Sequence, residues 1–445
     1  MLEPTLRRPA PDGLESQVRD GASANGSRRA VLLTLVGLLV ALGVALLVVV
    51  PWDPLPGAVL DLDVQRDFTA AQAAREVAFH DALRPQSYLA LVLALAAAAV
   101  LGLTPLGAHL VALVGRRFGG RWWAQVLLGT LVVTAVGRLV TLPLQVRAEG
   151  VLREYGLSRQ TWGSWAADVL RGVLVDAGIA ALVLLAVVGL ARVAGRTWWA
   201  WGAGATAALV VAGSFAYPVA VEPMFSSFTP LAQGELREQV LALAEQDGVD
   251  VDQVLVSDAS ERTSAVNAYV SGFGSSRRVV LYDNLVQTAP PEQVLLVVAH
   301  ELAHARFDDV RNGTLLGALG AAAAVCALAV VMGSPRVLRR AGVSGPGDAR
   351  AVPLLLLLVS VGTLVTAPAV NLVSRQVETR ADVHSLDLTR DAKTFRAVQQ
   401  RLAVVNLSDL EPDPVAYAVF STHPSVAHRF ALAREWQRLV SEGRR

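Results

Sequence analysis

The chain has 445 residues, 53% of them hydrophobic and only 17% charged, with a mean hydropathy of +0.46 and a formal net charge of +1. A soluble chain of this size carries about 25% charged residues, so the deficit excludes an all-soluble protein, and the near-neutral balance gives no electrostatic case for nucleic acid as a partner. The single cysteine, Cys326, excludes an intrachain disulfide.

Residues 1–29 are polar, hold five arginines, and read as a disordered tail. The apolar run that follows is too long for a secretory signal and reads as a first anchor. A membrane helix needs about 20 apolar residues to cross roughly 30 Å of hydrocarbon. Seven segments qualify: 30–51, 88–114, 122–144, 172–191, 197–219, 312–332 and 351–371. Trp122, Trp123, Trp198, Trp199, Trp201 and Tyr217 sit at span edges, as an interfacial aromatic belt requires. The first five spans with their linkers form one unit, 30–219. Within it, residues 53–87 hold an Asp-rich start and a short amphipathic helix (FTAAQAAREVAFHDAL), and 145–171 is a polar linker with helical ends.

Residues 220–311 form a long polar insertion. A helix (TPLAQGELREQVLALAEQDG) leads to a strand (QVLVSD) and then a hairpin (AVNAYVSGFGSSRRVVLYDN). The turn GFGSSR has no helix behind it, so it reads as a hairpin turn and not a phosphate loop. The strand RRVVLYDN is expected to offer an edge to an extended peptide. A helix over about 291–310 completes the insertion. Two further spans occupy 312–371, and 372–445 is a helical, charged tail. Insertion and tail together form the water-soluble part. The expected class is mainly α, seven membrane helices with a soluble domain carrying a small β-hairpin or sheet.

The helix beginning near Pro291 reads PEQVLLVVAHELAHARFDDV. His300 and His304, at i and i+4, leave one helical face together. Glu301, one residue on, can reach a water on a metal held by both. This is the H-E-x-x-H arrangement, with two His on zinc and Glu as general base. A catalytic zinc takes three protein ligands and keeps one position for water. HELAHARFDDV lacks a third His from the same segment, so the ligand must come from elsewhere. SRQVETRADVHSLDL offers Glu378 as ligand and Asp382, one turn later, as acceptor for a ligating His N–H. Alone, Glu378 reads as one more charge on a solvated helix; a two-His site lacking its third ligand makes it the candidate. His423, beside Pro424 in STHPSVAHRF, can donate to an oxyanion. His80, His109, His384 and His428 read as structural or surface residues. One Zn2+ per chain, a protein or peptide substrate and the lipid bilayer are the implied partners; oligomeric state is not readable.

These strings resemble the integral-membrane type I CAAX prenyl endopeptidase family, from about Pro143 to Arg429. The resemblance runs through LPLQ and YGLSRQTW, EPMFSSFTPLAQGELREQV, SERTSAVNAYVSGFGSSRRVVLYDNL, HELAH, SRQVETRAD and STHPSVAHR. It implies His300, His304 and Glu378 as zinc ligands, Glu301 as base, Asp382 as an acid beside the site, and Asn267 with His423 steadying the tetrahedral intermediate. It also implies a seven-helix barrel around a water-filled chamber, which gives Arg138, Asp176 and Glu222 a polar cavity to face. In place of a His often found five residues past His304, this chain has Asp309. An arginine-dominated composition (Lys393 is the one lysine) points to a GC-rich bacterial genome, where CAAX substrates do not follow from the chemistry. The alternatives to lipid-protein processing are quality-control cleavage of membrane proteins, or a scaffold or transporter with a vestigial zinc site, against which Glu301 argues.

Arginines concentrate in alternate short loops (Arg116, Arg117, Arg121; Arg192, Arg196; Arg336, Arg339, Arg340, Arg350) and in the N-terminal tail. The positive-inside rule makes those segments cytoplasmic and the soluble part external. The resemblance implies a soluble part on the cytosolic side. A miscounted span, with 197–219 the first suspect, would reconcile the two.

Overall fold

The structure, a computed structural model, describes residues 12–63, 67–271 and 277–445, with side chains from Gly26 onward. The first half holds α1 (Asp12–Val49), α2 (Ala70–Leu103), α3 (Pro105–Gly115), α4 (Trp122–Glu154), α5 (Trp162–Val193) and α6 (Trp198–Ala216). β1 (Phe228–Pro230), α7 (Glu235–Asp247), β2 (Gln253–Ser257), β3 (Ala268–Ser271), β4 (Arg278–Tyr282) and α8 (Asp283–Thr288) follow. The chain ends with α9 (Pro291–Arg306), α10 (Asp309–Met332), α11 (Pro335–Ala341), α12 (Val352–Thr389), α13 (Ala392–Val405), α14 (Pro414–Phe420) and α15 (Val426–Ser441).

Seven of these helices, α1, α2, α4, α5, α6, α10 and α12, are long and apolar enough to cross a membrane. Segment 197–219, the suspect span, is among them. α1 begins at Asp12, inside the stretch expected as a disordered tail; residues 1–11 of that tail lie outside the described residues. The second span sits further towards the N-terminus than expected. Its helix starts at a capping box made by Thr69 and Gln72 and takes in the amphipathic segment, Pro85 included. It stops at Thr104, whose hydroxyl bonds back to the Val100 carbonyl at 2.6 Å and accepts from Leu106 N–H, while Pro105 opens α3. Proline at a first helical position starts a helix because its missing N–H would be unpaired there anyway. The 145–171 linker is mostly helix: α4 runs to Glu154, and Thr161 caps α5 through Ser164 N–H.

Neighbouring helices close on themselves in the order α6, α5, α4, α2, α12, α10 and back to α6, with α1 outside against α10. Apolar side chains such as Leu47, Val48, Leu182 and Val365 stand mostly exposed along the spans, the surface a bilayer covers. Arg138 of α4 pairs with Asp176 of α5 at 3.3 Å, and both side chains stay 42% and 59% exposed. A charge at membrane depth with that exposure fits a water-lined space better than lipid. One end of the ring is filled by a small core of Val111, Val126, Val188, Met332, Leu354 and Leu355. Gly129 makes that closure possible, since a Cβ there would lie 2.9 Å from Val111.

The soluble domain caps the other end. Its open sheet has the order β1-β2-β4-β3, with β1/β2 and β3/β4 antiparallel and β2/β4 parallel. β3 and β4 form the expected hairpin; Gly272–Ser276 of its turn lies outside the described residues. The expectation that RRVVLYDN supplies an edge fails, because β4 pairs on both sides. The outer strands are β3 and the three-residue β1, and β3 is the longer open edge. Val279, Leu281, Val294, Val298, Leu302, Leu386, Phe395 and Leu432, all essentially inaccessible, join sheet, α9, the end of α12, α13 and α15 in one core. Each such side chain contributes about 1.5–3 kcal/mol by leaving water.

Candidate metal centre

α9 begins with Pro291 at its first turn and buries Val294, Val298, Leu302 and Ala305 against the sheet and α13. That 4-4-3 spacing is one helical stripe. It fixes the rotation of the helix and leaves His300, Glu301 and His304 on the other side. α9 ends at Phe307, and Asp308 takes a left-handed conformation (φ 54°) before α10 starts at Asp309. Asp308 is held there by Arg277 at 2.8 Å and Arg311 at 3.0 Å.

α12 is a single 38-residue helix that carries the last span and continues into the soluble domain. Its residues Asn371, Arg375, Glu378 and Asp382, spaced 4-3-4, form one polar stripe. Asn371 Nδ2 donates to Val419 O at 2.6 Å, and Arg375 Nη1 donates to Tyr417 O at 3.1 Å and Ser421 O at 2.6 Å. These bonds hold the α14 segment, and with it His423, beside the next turn of the stripe.

There Glu378 meets the α9 histidines. One ligand atom each from His300, His304 and Glu378 lies within 4.8 Å of the others. Glu378 Oε2 is 3.2 Å from His300 Nε2 and Oε1 is 3.6 Å from His304 Nε2. The three side chains are 12–19% exposed, sheltered yet open to a small polar group.

Behind each histidine stands a carboxylate, and behind each carboxylate an arginine. His300 Nδ1 faces Asp382 Oδ1 at 3.0 Å, and Asp382 Oδ2 faces Arg429 Nε at 3.1 Å. His304 Nδ1 bonds Asp309 Oδ2 at 2.9 Å, and Asp309 Oδ1 pairs with Arg380. A carboxylate on Nδ1–H fixes tautomer and ring orientation and leaves Nε2 as the ligating nitrogen. Two nitrogens and a carboxylate oxygen, with room beside them, fit a catalytic metal that keeps one position open. Burial alone would lower the His300 pKa, but its bonds to Asp382 and Glu378 outweigh this and raise it to about 10. Burial pushes the Glu301 carboxyl up, against the positive influence of His300, His304 and His423 around it.

The other expected residues are placed unequally. His423, 62% exposed, donates from Nδ1 to Glu378 Oε2 at 2.9 Å. Asn267 stands exposed immediately before the free edge strand β3, and its carbonyl accepts from Tyr282 N–H. Among the described residues, no hydrogen bond joins its side chain to the cluster. His384 bonds Asp247 at 2.8 Å and His80 contacts Leu407 O at 2.9 Å, both structural roles. Glu222, expected to face a cavity, lines one of about 430 Å³ together with Ser214, Tyr217 and Ser271, and pairs there with Arg278 of β4 at 3.0 Å. Asp309, Arg380 and Arg429 were missed as supports. Arg380 and Arg429 lie inside SRQVETRAD and STHPSVAHR, but nothing in either string says which carboxylate they meet.

Two family models divide most of the chain. Residues 85–227 match the CAAX prenyl protease N-terminal region, described as five membrane helices, and residues 230–437 match peptidase family M48. The uncharacterized metalloprotease YhfN of Bacillus subtilis is 32% identical over 307 residues, covering 68% of this chain and 72% of its own length. This chain belongs to peptidase family M48. Among its M48 relatives, the CAAX prenyl protease 1 homolog of Arabidopsis thaliana is 32% identical over 219 residues, and CAAX prenyl protease 1 of Saccharomyces cerevisiae is 28% identical over 228. Each of these matches spans about half the relative's length. In fold, the crystal structure of S. mikatae Ste24p matches with a TM-score of 0.74 at 20% identity, over 91% of this chain and 98% of that one. The M48 chain is thus a multi-spanning membrane metallopeptidase.

Proposed function

We propose that the chain is a zinc endopeptidase with one zinc per molecule, held by Nε2 of His300, Nε2 of His304 and the Glu378 carboxylate, and that it cleaves membrane-associated or lipid-modified proteins. The observation that carries this reading is the paired support of the two histidines, Asp382 on one Nδ1 and Asp309 on the other. A solvated helix with incidental histidines needs no such pair. Bound there, zinc supplies Lewis acidity, polarising the scissile carbonyl and lowering the pKa of water towards 7.

The residues of the chain then divide the work. Glu301 accepts the proton of the attacking water and delivers it to the leaving amine nitrogen, for which its raised pKa suits it. His423, exposed and tied by a single bond to Glu378, donates to the developing oxyanion when a substrate draws it over. The peptide lies extended along β3, whose unpaired edge satisfies its backbone, and Asn267 at the start of that strand bonds the peptide next to the reacting carbonyl. Prenylated C-terminal peptides are the first substrates to try, because relatives bear the name CAAX prenyl protease 1. The test is elemental analysis and peptide cleavage on one detergent-purified sample. One zinc per chain, with activity removed by a chelator and restored by zinc, supports the reading; cleavage that survives complete zinc removal refutes it.

A further inference from the structure

The packing of the soluble segments decides how many times the chain crosses the membrane, and hence which loops share a side. Residues 50–63 and 67–69 belong to the metal-centre side. Leu55 enters that domain's core, Val59 N–H bonds Glu435 at 3.1 Å, and Arg434 pairs with Asp67 at 2.7 Å. The α4–α5 loop is on the same side: Thr263 Oγ1 bonds Leu157 O at 2.9 Å, and Arg159 N–H bonds Arg262 O at 3.0 Å.

The remaining loops interlock at the opposite end. Arg192 in the last turn of α5 donates to Gly347 O at 2.9 Å, Gly342 after α11 packs on Pro105 of α3, and Ser27, where the membrane span of α1 begins, bonds Arg196 O at 3.3 Å. Every loop falls on the side that seven spans require. No span is miscounted, and 197–219 does cross.

The two ends differ in charge. The three loops 104–121, 190–200 and 333–351 hold nine arginines against one acid, Asp348. Arg28 and Arg29, within α1 where its membrane span begins, lie at the same end. Facing them, loop 50–69 holds Asp53, Asp61, Asp63 and Asp67 against Arg66, and the turn 155–161 adds Arg159 alone. The helix ends on that side carry Arg75, Arg84, Arg147, Arg153 and Arg171, of which Arg84 pairs with Asp409, Arg153 with Glu149 and Arg171 with Asp168, so arginines are fewer there and mixed with acids. Trp122 and Trp198, starting α4 and α6, sit at the arginine-rich end as interfacial anchors.

We infer that the arginine-rich end lies against the anionic cytoplasmic leaflet and that the metal centre therefore opens on the outer face of the membrane. Arginine bias in short loops orients membrane proteins, and anionic headgroups attract such clusters. This is the reverse of the side that the CAAX-family resemblance implies. For the proposed peptidase it means substrates presented from outside, as segments of exported or outer-leaflet-anchored proteins. That last step rests on the zinc-peptidase reading; the orientation does not.

Two full-length probes test it. Alkaline phosphatase fused after Arg445 should be active, and a fluorescent reporter that matures only in the cytoplasm should stay dark in its place. Independently, in a Cys326→Ser background, Ser441→Cys should react with an impermeant maleimide on intact spheroplasts, and Gly345→Cys only after lysis. A fluorescent reporter, or Gly345→Cys labelled in intact spheroplasts, overturns the inference. Both probes also read orientation in a Glu301→Gln chain, so an inactive enzyme and a wrong orientation give different results.

Discussion

Asp382→Asn separates the support of the metal centre from its ligands. Asp382 is wholly inaccessible, with one carboxylate oxygen 3.0 Å from His300 Nδ1 and the other 3.1 Å from Arg429 Nε. The amide keeps the shape, and its oxygen can still accept from His300, but it no longer offsets the Arg429 charge. Loss of such a carboxylate behind a metal-ligating His costs about 10–100-fold in affinity or activity, which is about 1.4–2.7 kcal/mol. Arg429, 13% exposed, is then left with only its longer contact to Glu378 Oε2 at 3.4 Å, which adds a loss of stability smaller than the about 3–5 kcal/mol of a buried charge left wholly unpaired. Glu378→Ala removes a ligand outright and should weaken the metal by more than either figure, while sparing the Asp382–Arg429 pair. The assays are competition for zinc with a chromophoric chelator and thermal unfolding in detergent. Wild-type zinc affinity in Asp382→Asn, or weaker binding there than in Glu378→Ala, would refute the division between ligand and support.

Asp309→Asn should weaken zinc by about 10–100-fold through the other histidine, measured by the same competition; an unchanged affinity would leave His304 without need of its partner. Leu302→Ala, at a fully buried position on the stripe that sets the rotation of α9, should cost about 2–5 kcal/mol, read by denaturant unfolding of the soluble-domain signal. Zinc must displace the proton that His300 holds up to about 10, so affinity should rise about tenfold per pH unit from pH 6 to 8 and level off only above that pKa. A pH-independent affinity would mean that the nitrogen is already free.

Much of this was legible in the chain because membrane spans and H-E-x-x-H each rest on one local rule. Twenty apolar residues suffice for a span, and i, i+4 spacing suffices to bring His300 and His304 together. Span ends were harder to place, because Thr69, Thr104 and Thr161 set them by capping, and caps look like ordinary loop residues until the bonds are seen. The single helix α12 reads in sequence as a span and a separate tail, since hydropathy changes at 371 while the backbone does not. The edge strand was misassigned because pairing order is a long-range property: β2 reaches β4 across the hairpin and leaves β3 outside. Asp309 could be noticed as a departure, yet its bond to His304 depends on the left-handed turn at Asp308, which no spacing rule anticipates. Arg380 and Arg429 were invisible for the same reason, as each acts only through a carboxylate from another helix.

The central claim is that Glu301 moves the proton while His300, His304 and Glu378 hold the metal. Glu301→Gln preserves size and leaves all three ligands, so zinc content should stay at the wild-type level while the cleavage rate falls at least ~100-fold. Both are to be measured on one preparation of the full chain in detergent. Loss of zinc together with activity would make Glu301 part of the metal's hold and contradict its assignment as the base.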